Sequence, residues 1–205
     1  MNPQATVIDR QPIALSLFGS TRRSTLLLIV SAVALLTLSA KVQIPWWPVP
    51  MTMQTYVVLV IAMGYGTRLG FLSIGSYIVL GAMGLPLFAG TPEKGLGLPY
   101  IAGPTGGYLA GFLVAAAVCG ALAARGWDRR LGTCIAAMTI GHVLILGCGA
   151  AWLATLIGWG RAMDLGVTPF ILATVLKTVL AAISLPGVWT LSGRTKDVRP
   201  AEHHK

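Results

Sequence analysis

The chain is built from long apolar runs that contain no Asp or Glu, and the last of them, Thr168–Leu191, carries Lys177 near its middle. The six acids, Asp9, Glu93, Asp128, Asp164, Asp197 and Glu202, all fall in the tails or between the runs. Runs of this kind reach the roughly 17–25 residues that a membrane-spanning helix needs. A lysine at bilayer depth costs about 2.5–3.5 kcal/mol on insertion scales and marks a functional site by default. It needs a counter-charge, and no carboxylate shares its depth. An anionic ligand is expected to supply it.

Composition agrees with the runs. Hydrophobic residues make up 55% of the chain and charged residues 10%, against roughly 25% charged in soluble domains. With a mean hydropathy of +0.77, the chain is an integral membrane protein. Cys119, Cys134 and Cys148 lie in apolar stretches without metal-binding or redox spacing and read as small buried hydrophobes. The run from Leu26 follows Arg22 and Arg23 and continues for about a full span, which suits an uncleaved first helix.

The expected fold is an all-α polytopic membrane protein with six transmembrane helices, at about 25–43, 52–66, 69–85, 105–124, 131–157 and 168–191. Only Thr67-Arg68 separates the second and third, and Gly64, Gly66 and Gly70 around them predict a tight turn. One membrane domain, 25–191, then lies between a cytoplasmic N-terminal tail, 1–24, and a basic cytoplasmic tail, 192–205. Charge sets the orientation. With both termini inside, Arg10, Arg22, Arg23, Arg68, Arg125, Arg129, Arg130, Arg194, Lys196, Arg199 and Lys205 are inner, and only Lys41, Lys94 and Arg161 are outer. These charges are dispersed over short loops, so the high pI does not imply a nucleic-acid partner. The bulk partner is the lipid bilayer.

Proline and glycine show the opposite asymmetry. Pro45, Pro48 and Pro50 occupy the first outer connection, and Pro86, Pro92, Pro99 and Pro104 occupy the second among several glycines. Long stiffened loops of this kind are usually functional, so binding is expected to face outward. The prolines of Ile44-Pro-Trp-Trp-Pro-Val-Pro-Met-Thr-Met-Gln-Thr55 hold the backbone extended. Trp46 and Trp47 suit the headgroup belt or a cavity cap. Gln54 enters the second span as an uncharged donor and acceptor, either interhelical glue or a ligand contact. His142, the one intramembrane histidine of the sequence, is by default a neutral hydrogen-bonded group, with a ligand contact next. Gly107 and Gly111 form a small-xxx-small face for close helix packing.

Three motifs, Pro-Val-Pro-Met-Thr-Met-Gln-Thr (48–55), Gly-Leu-Pro-Leu-Phe-Ala-Gly (84–90) and Gly-Pro-Thr-Gly-Gly-Tyr-Leu-Ala-Gly-Phe (103–112), together resemble the biotin transporter family BioY. Its members are the substrate-binding S components of energy-coupling factor transporters. The resemblance covers roughly residues 25–190. It implies a six-helix receptor of the bacterial inner (plasma) membrane that binds biotin in an outward-facing pocket capped by loops. It also implies a coupling membrane subunit and two cytoplasmic ATPases as partners, although solitary members have been proposed to work alone. The last span of the family usually carries Pro-Phe-x-x-Gly-Asp-x-x-Lys. Here it reads Pro169-Phe-Ile-Leu-Ala-Thr-Val-Leu-Lys177, so the lysine aligns while Thr174 replaces the Asp and Ala173 the Gly.

The resulting expectation is biotin capture from outside and delivery across the membrane. Lys177 meets the carboxylate, and Gln54, His142 and Thr174 are candidates for the ureido ring. Phe88, Tyr100 and Tyr108 close an amphipathic lid. The alternatives are an S component for another small anionic vitamin, or a non-transporting membrane subunit in which Lys177 pairs with lipid phosphate or Asp164. An enzyme is not expected, since no span holds an acid pair or HExxH. No cofactor is expected either. The sequence lacks GxxxxGK[ST], so ATP would act only through partner ATPase subunits.

Overall fold

A computed structural model describes residues 12–191. The first eleven residues and the basic tail 192–205 lie outside the described residues. The order is α1 (Ile13–Phe18), α2 (Arg22–Lys41), β1 (Gln43–Ile44), β2 (Met51–Thr52), α3 (Gln54–Ala82), α4 (Gly97–Ala102), α5 (Gly106–Ala123), α6 (Leu131–Ile157), α7 (Trp159–Gly166) and α8 (Phe170–Leu191). Five helices, α2, α3, α5, α6 and α8, are long and apolar enough to cross a membrane.

The second and third apolar runs are two arms of α3. Its helical geometry breaks at Gly66, where φ is 75° and ψ 177°, a left-handed conformation that favours glycine. The arms fold back on each other. A methyl group on Gly70 would lie 3.1 Å from the Ala62 Cα, and the Gln54 side chain reaches Tyr77 at 2.7 Å. In an unbroken helix Gln54 and Tyr77 would stand about 35 Å apart. Pro12, just before α1, closes over the turn, leaving no room for a side chain on Gly66.

These arms are shorter than a full span, yet they lie in the middle of the bundle. α3 packs mainly against α5 and α2, α5 against α6, and α6 against α7 and α8. Glycine permits the closest approaches: a methyl group on Gly111 would sit 2.9 Å from the Ile145 Cα, and one on Gly107 would overlap Trp152. The outer faces of α2 and α8 expose Leu26, Leu27, Val30 and Leu38, and Leu172, Val175, Leu176 and Val179. Such continuous apolar exposure matches lipid rather than water.

One feature departs from the all-α expectation. β1 and β2 form a small antiparallel hairpin, pairing Gln43 with Thr52 and Ile44 with Met51. The intervening prolines cannot continue α2, and their extended backbone lets the two flanks meet. The connection after α6 is also not a plain loop, because it folds as α7. At the opposite, basic end, Trp189 of α8 donates to the Asp128 carboxylate at 2.6 Å. The Arg129 guanidinium lies 4.4 Å from the Trp189 ring centre. Burial pushes the Asp128 carboxyl up from its ordinary pKa. This cluster ties the α5–α6 connection to the end of α8.

Candidate functional site

The end of the bundle that carries the hairpin and the Gly/Pro-rich loop encloses a cavity of about 50 Å³, room for a few water molecules. The hairpin contributes Val49, Pro50 and Thr52, and α3 contributes Gln54 and Thr55. Phe88, Ala89 and Tyr100 form its roof. Thr105, Tyr108, Leu109 and Phe112 come from the start of α5, Leu146 from α6, and Phe170 and Lys177 from α8.

Lys177 is buried. Its Nζ donates to the Thr52 carbonyl at 2.6 Å and to the Thr55 hydroxyl at 3.0 Å. An ammonium has three N–H donors, so one remains for an acceptor in the cavity. Among the described residues no carboxylate lies within ion-pair distance of Lys177. Asp164 is therefore not its partner, and hydroxyl and carbonyl dipoles alone hold the cation.

Gln54 is oriented by a chain of bonds. The Tyr77 hydroxyl has one proton, and it goes to the Leu87 carbonyl at 3.1 Å. It must therefore accept from Gln54 Nε2 at 2.7 Å, which fixes the amide and leaves Oε1 as the uncommitted acceptor at the cavity.

Aromatic rings complete the enclosure. Phe88 stacks on Tyr100 with centroids 4.9 Å apart and meets Tyr77 edge-on at 5.4 Å. It lies flush on α3 at Gly81, where a methyl group would overlap its ring. Tyr100 donates to the Ala89 carbonyl at 2.8 Å. Burial pushes its phenol up from the ordinary value, so it remains a neutral donor. Tyr108 crosses from α5 over Gly149 and donates to the Gly166 carbonyl at 2.7 Å. It forms wall and floor of the α7–α8 junction rather than a free flap.

Five of the seven residues singled out in the sequence, Lys177, Gln54, Phe88, Tyr100 and Tyr108, line this one cavity. His142 and Thr174 do not. His142 is buried behind the wall, with Nδ1 3.0 Å from the Met138 carbonyl and 3.2 Å from the Thr178 hydroxyl. Thr174 is half-buried on α8, between the wall residues Phe170 and Lys177, and its short side chain does not enter the lining. Thr52, Thr55 and Tyr77 were missed as individual residues. The first two lie inside the 48–55 motif, but Tyr77 has no sequence signal beyond a hydroxyl in an apolar run.

A protein-family model described as the BioY family matches residues 11–194. The chain is 38% identical over 156 residues to a Pyrococcus horikoshii protein named "Probable biotin transporter BioY", covering 76% of this chain and 90% of that protein. It is 34% identical over 169 residues to the "Biotin transporter BioY2" of Lactococcus lactis subsp. cremoris, covering 80% and 89%. Among solved structures it resembles the S-component for biotin from an ECF-type ABC transporter, with a TM-score of 0.68, 22% identity, and coverage of 85% of this chain and 95% of that one. The last likeness speaks to the fold.

Proposed function

This chain belongs to the BioY family, and from that premise we propose that it is the membrane-embedded subunit that captures biotin for uptake, with Lys177 as the carboxylate site. Biotin is a mostly apolar ligand with one anionic end and one polar ureido end, and the cavity lining has the matching distribution, although the roof must move outward from its present position to admit the whole ligand. Lys177 supplies the lone cation, while Gln54 Oε1 is an acceptor for a ureido N–H. Between them Leu109, Phe112, Leu146 and Phe170 provide an apolar wall. The carrying observation is a buried lysine in that wall whose partners are neutral oxygens. A desolvated ammonium held this way gains most from an incoming anion.

The bundle is read as six crossings, counting each arm of α3, with both termini cytoplasmic. Arg22, Arg23, Arg68, Arg125, Arg129 and Arg130 then fall on the inner side, as the positive-inside rule requires. The cavity opens outward, into the space outside a bacterial plasma membrane. His142 stands behind the site, acting through Thr178 next to Lys177, and Thr174 is the polar neighbour at its rim. Energy would come from a coupling membrane subunit and two cytoplasmic ATPases, since no nucleotide-binding loop occurs in the sequence.

Purified protein in liposomes is expected to bind radiolabelled biotin saturably without concentrating it. Failure to bind would overturn the reading. Accumulation without ATP, other subunits or an ion gradient would overturn the need for partners.

A further inference from the structure

The roof segment Leu87–Thr91 is held mainly through its carbonyl groups. Tyr77 donates to Leu87 O and Tyr100 to Ala89 O. The carbonyls of Phe88 and Thr91 both accept from one cation, Lys41, at 3.0 and 2.9 Å. Lys41 Nζ also donates to the Thr91 hydroxyl at 3.0 Å, and that hydroxyl passes its own proton to Phe88 O at 2.7 Å. All three ammonium donors are thus spent on one short segment, 47 to 50 residues away in sequence.

Lys41 does not line the cavity. It sits at the C-terminal end of α2, a helix that contributes nothing to the cavity wall and exposes a long apolar face. Tyr77 and Tyr100 are rings packed on Phe88, so their bonds belong to the enclosure itself. Lys41 instead ties the roof sideways to a helix outside the site. A partly exposed ammonium can exchange these carbonyls for water at modest cost, whereas the buried rings cannot. It is the releasable link.

We propose that Lys41 is a positioning residue that clasps the roof segment over bound biotin and thereby sets how long the ligand stays. The proposal rests on the biotin-binding reading for its consequence but not for its geometry. Ligand enters only when the roof is lifted and the clasp is open, so association also waits on Lys41. Escape requires breaking the three bonds, so dissociation depends on it.

Two measurements on the full chain separate the proposal from that reading. In ligand-free protein, Lys41→Met should raise amide hydrogen exchange across residues 87–95 at least tenfold and leave α5 and α6 unchanged. With biotin, Lys41→Met should speed association and dissociation each by about tenfold, leaving affinity within about threefold, and Lys41→Arg should restore slow dissociation. Unchanged exchange in the ligand-free variant overturns the clasp. Raised exchange with wild-type dissociation, or with slowed association, overturns its role in retention. If wild-type protein binds no biotin, the functional reading fails, and the ligand-free exchange still decides whether Lys41 holds the roof.

Discussion

Lys177→Met is expected to abolish tight biotin binding while leaving the helices folded. The ammonium is buried among neutral oxygens, with no carboxylate in ion-pair distance among the described residues, and on the proposed reading the ligand carboxylate completes its pairing. Truncating one member of a desolvated charged pair typically costs about 2–5 kcal/mol, roughly thirty-fold or more in affinity. Folding responds differently. Methionine has similar length, and removing a buried ammonium removes its desolvation cost. Against that, the Thr52 carbonyl and Thr55 hydroxyl lose a donor, about 1–3 kcal/mol if neither finds water. The two terms oppose each other, so thermal unfolding in detergent should move little. A variant that loses binding only because it unfolds would contradict this account.

Gly81→Ala should also weaken biotin binding, by about tenfold or more, through a different route. Alanine is favoured over glycine inside a helix by up to about 1 kcal/mol. At this position, however, the new methyl would overlap the Phe88 ring, far inside the roughly 3.5–4 Å at which carbon atoms rest. Phe88 must retreat, and its stack on Tyr100 moves with it. Overpacking of this kind costs about 1–3 kcal/mol, concentrated at the roof. Gly75→Ala is the control on the same arm of α3. A methyl there meets only Leu113, at 3.9 Å, so it should keep wild-type affinity and gain slightly in stability. Equal affinities for the Gly81 variant and wild type would show that Phe88 does not close the site.

The helices were legible because bilayer-length apolar runs leave few alternatives, and the turn between the arms of α3 was legible from Gly64, Gly66 and Gly70. The hairpin was not, since strands of two residues carry no periodicity. Nor were α4 and α7, which look like loop until packing fixes them. The lining of the candidate cavity was legible where a residue breaks its surroundings: a lysine or a glutamine in an apolar run marks itself. Facing is harder. Helices apolar all round give no stripe to say which side looks inward, so His142 and Thr174 showed depth but not direction. Lys41 was hidden for the opposite reason. A cation at a helix end passes for an ordinary interfacial anchor, and only the fold reveals that its three donors converge on the roof.

The central claim is that the carboxylate of biotin meets Lys177. It is tested most directly by equilibrium competition between biotin and biotin amide, which lacks the charge and keeps the rings. Wild-type protein should bind the amide at least thirty-fold more weakly than biotin, and Lys177→Met should largely lose that preference. If wild type binds the two equally well, the carboxylate does not meet Lys177.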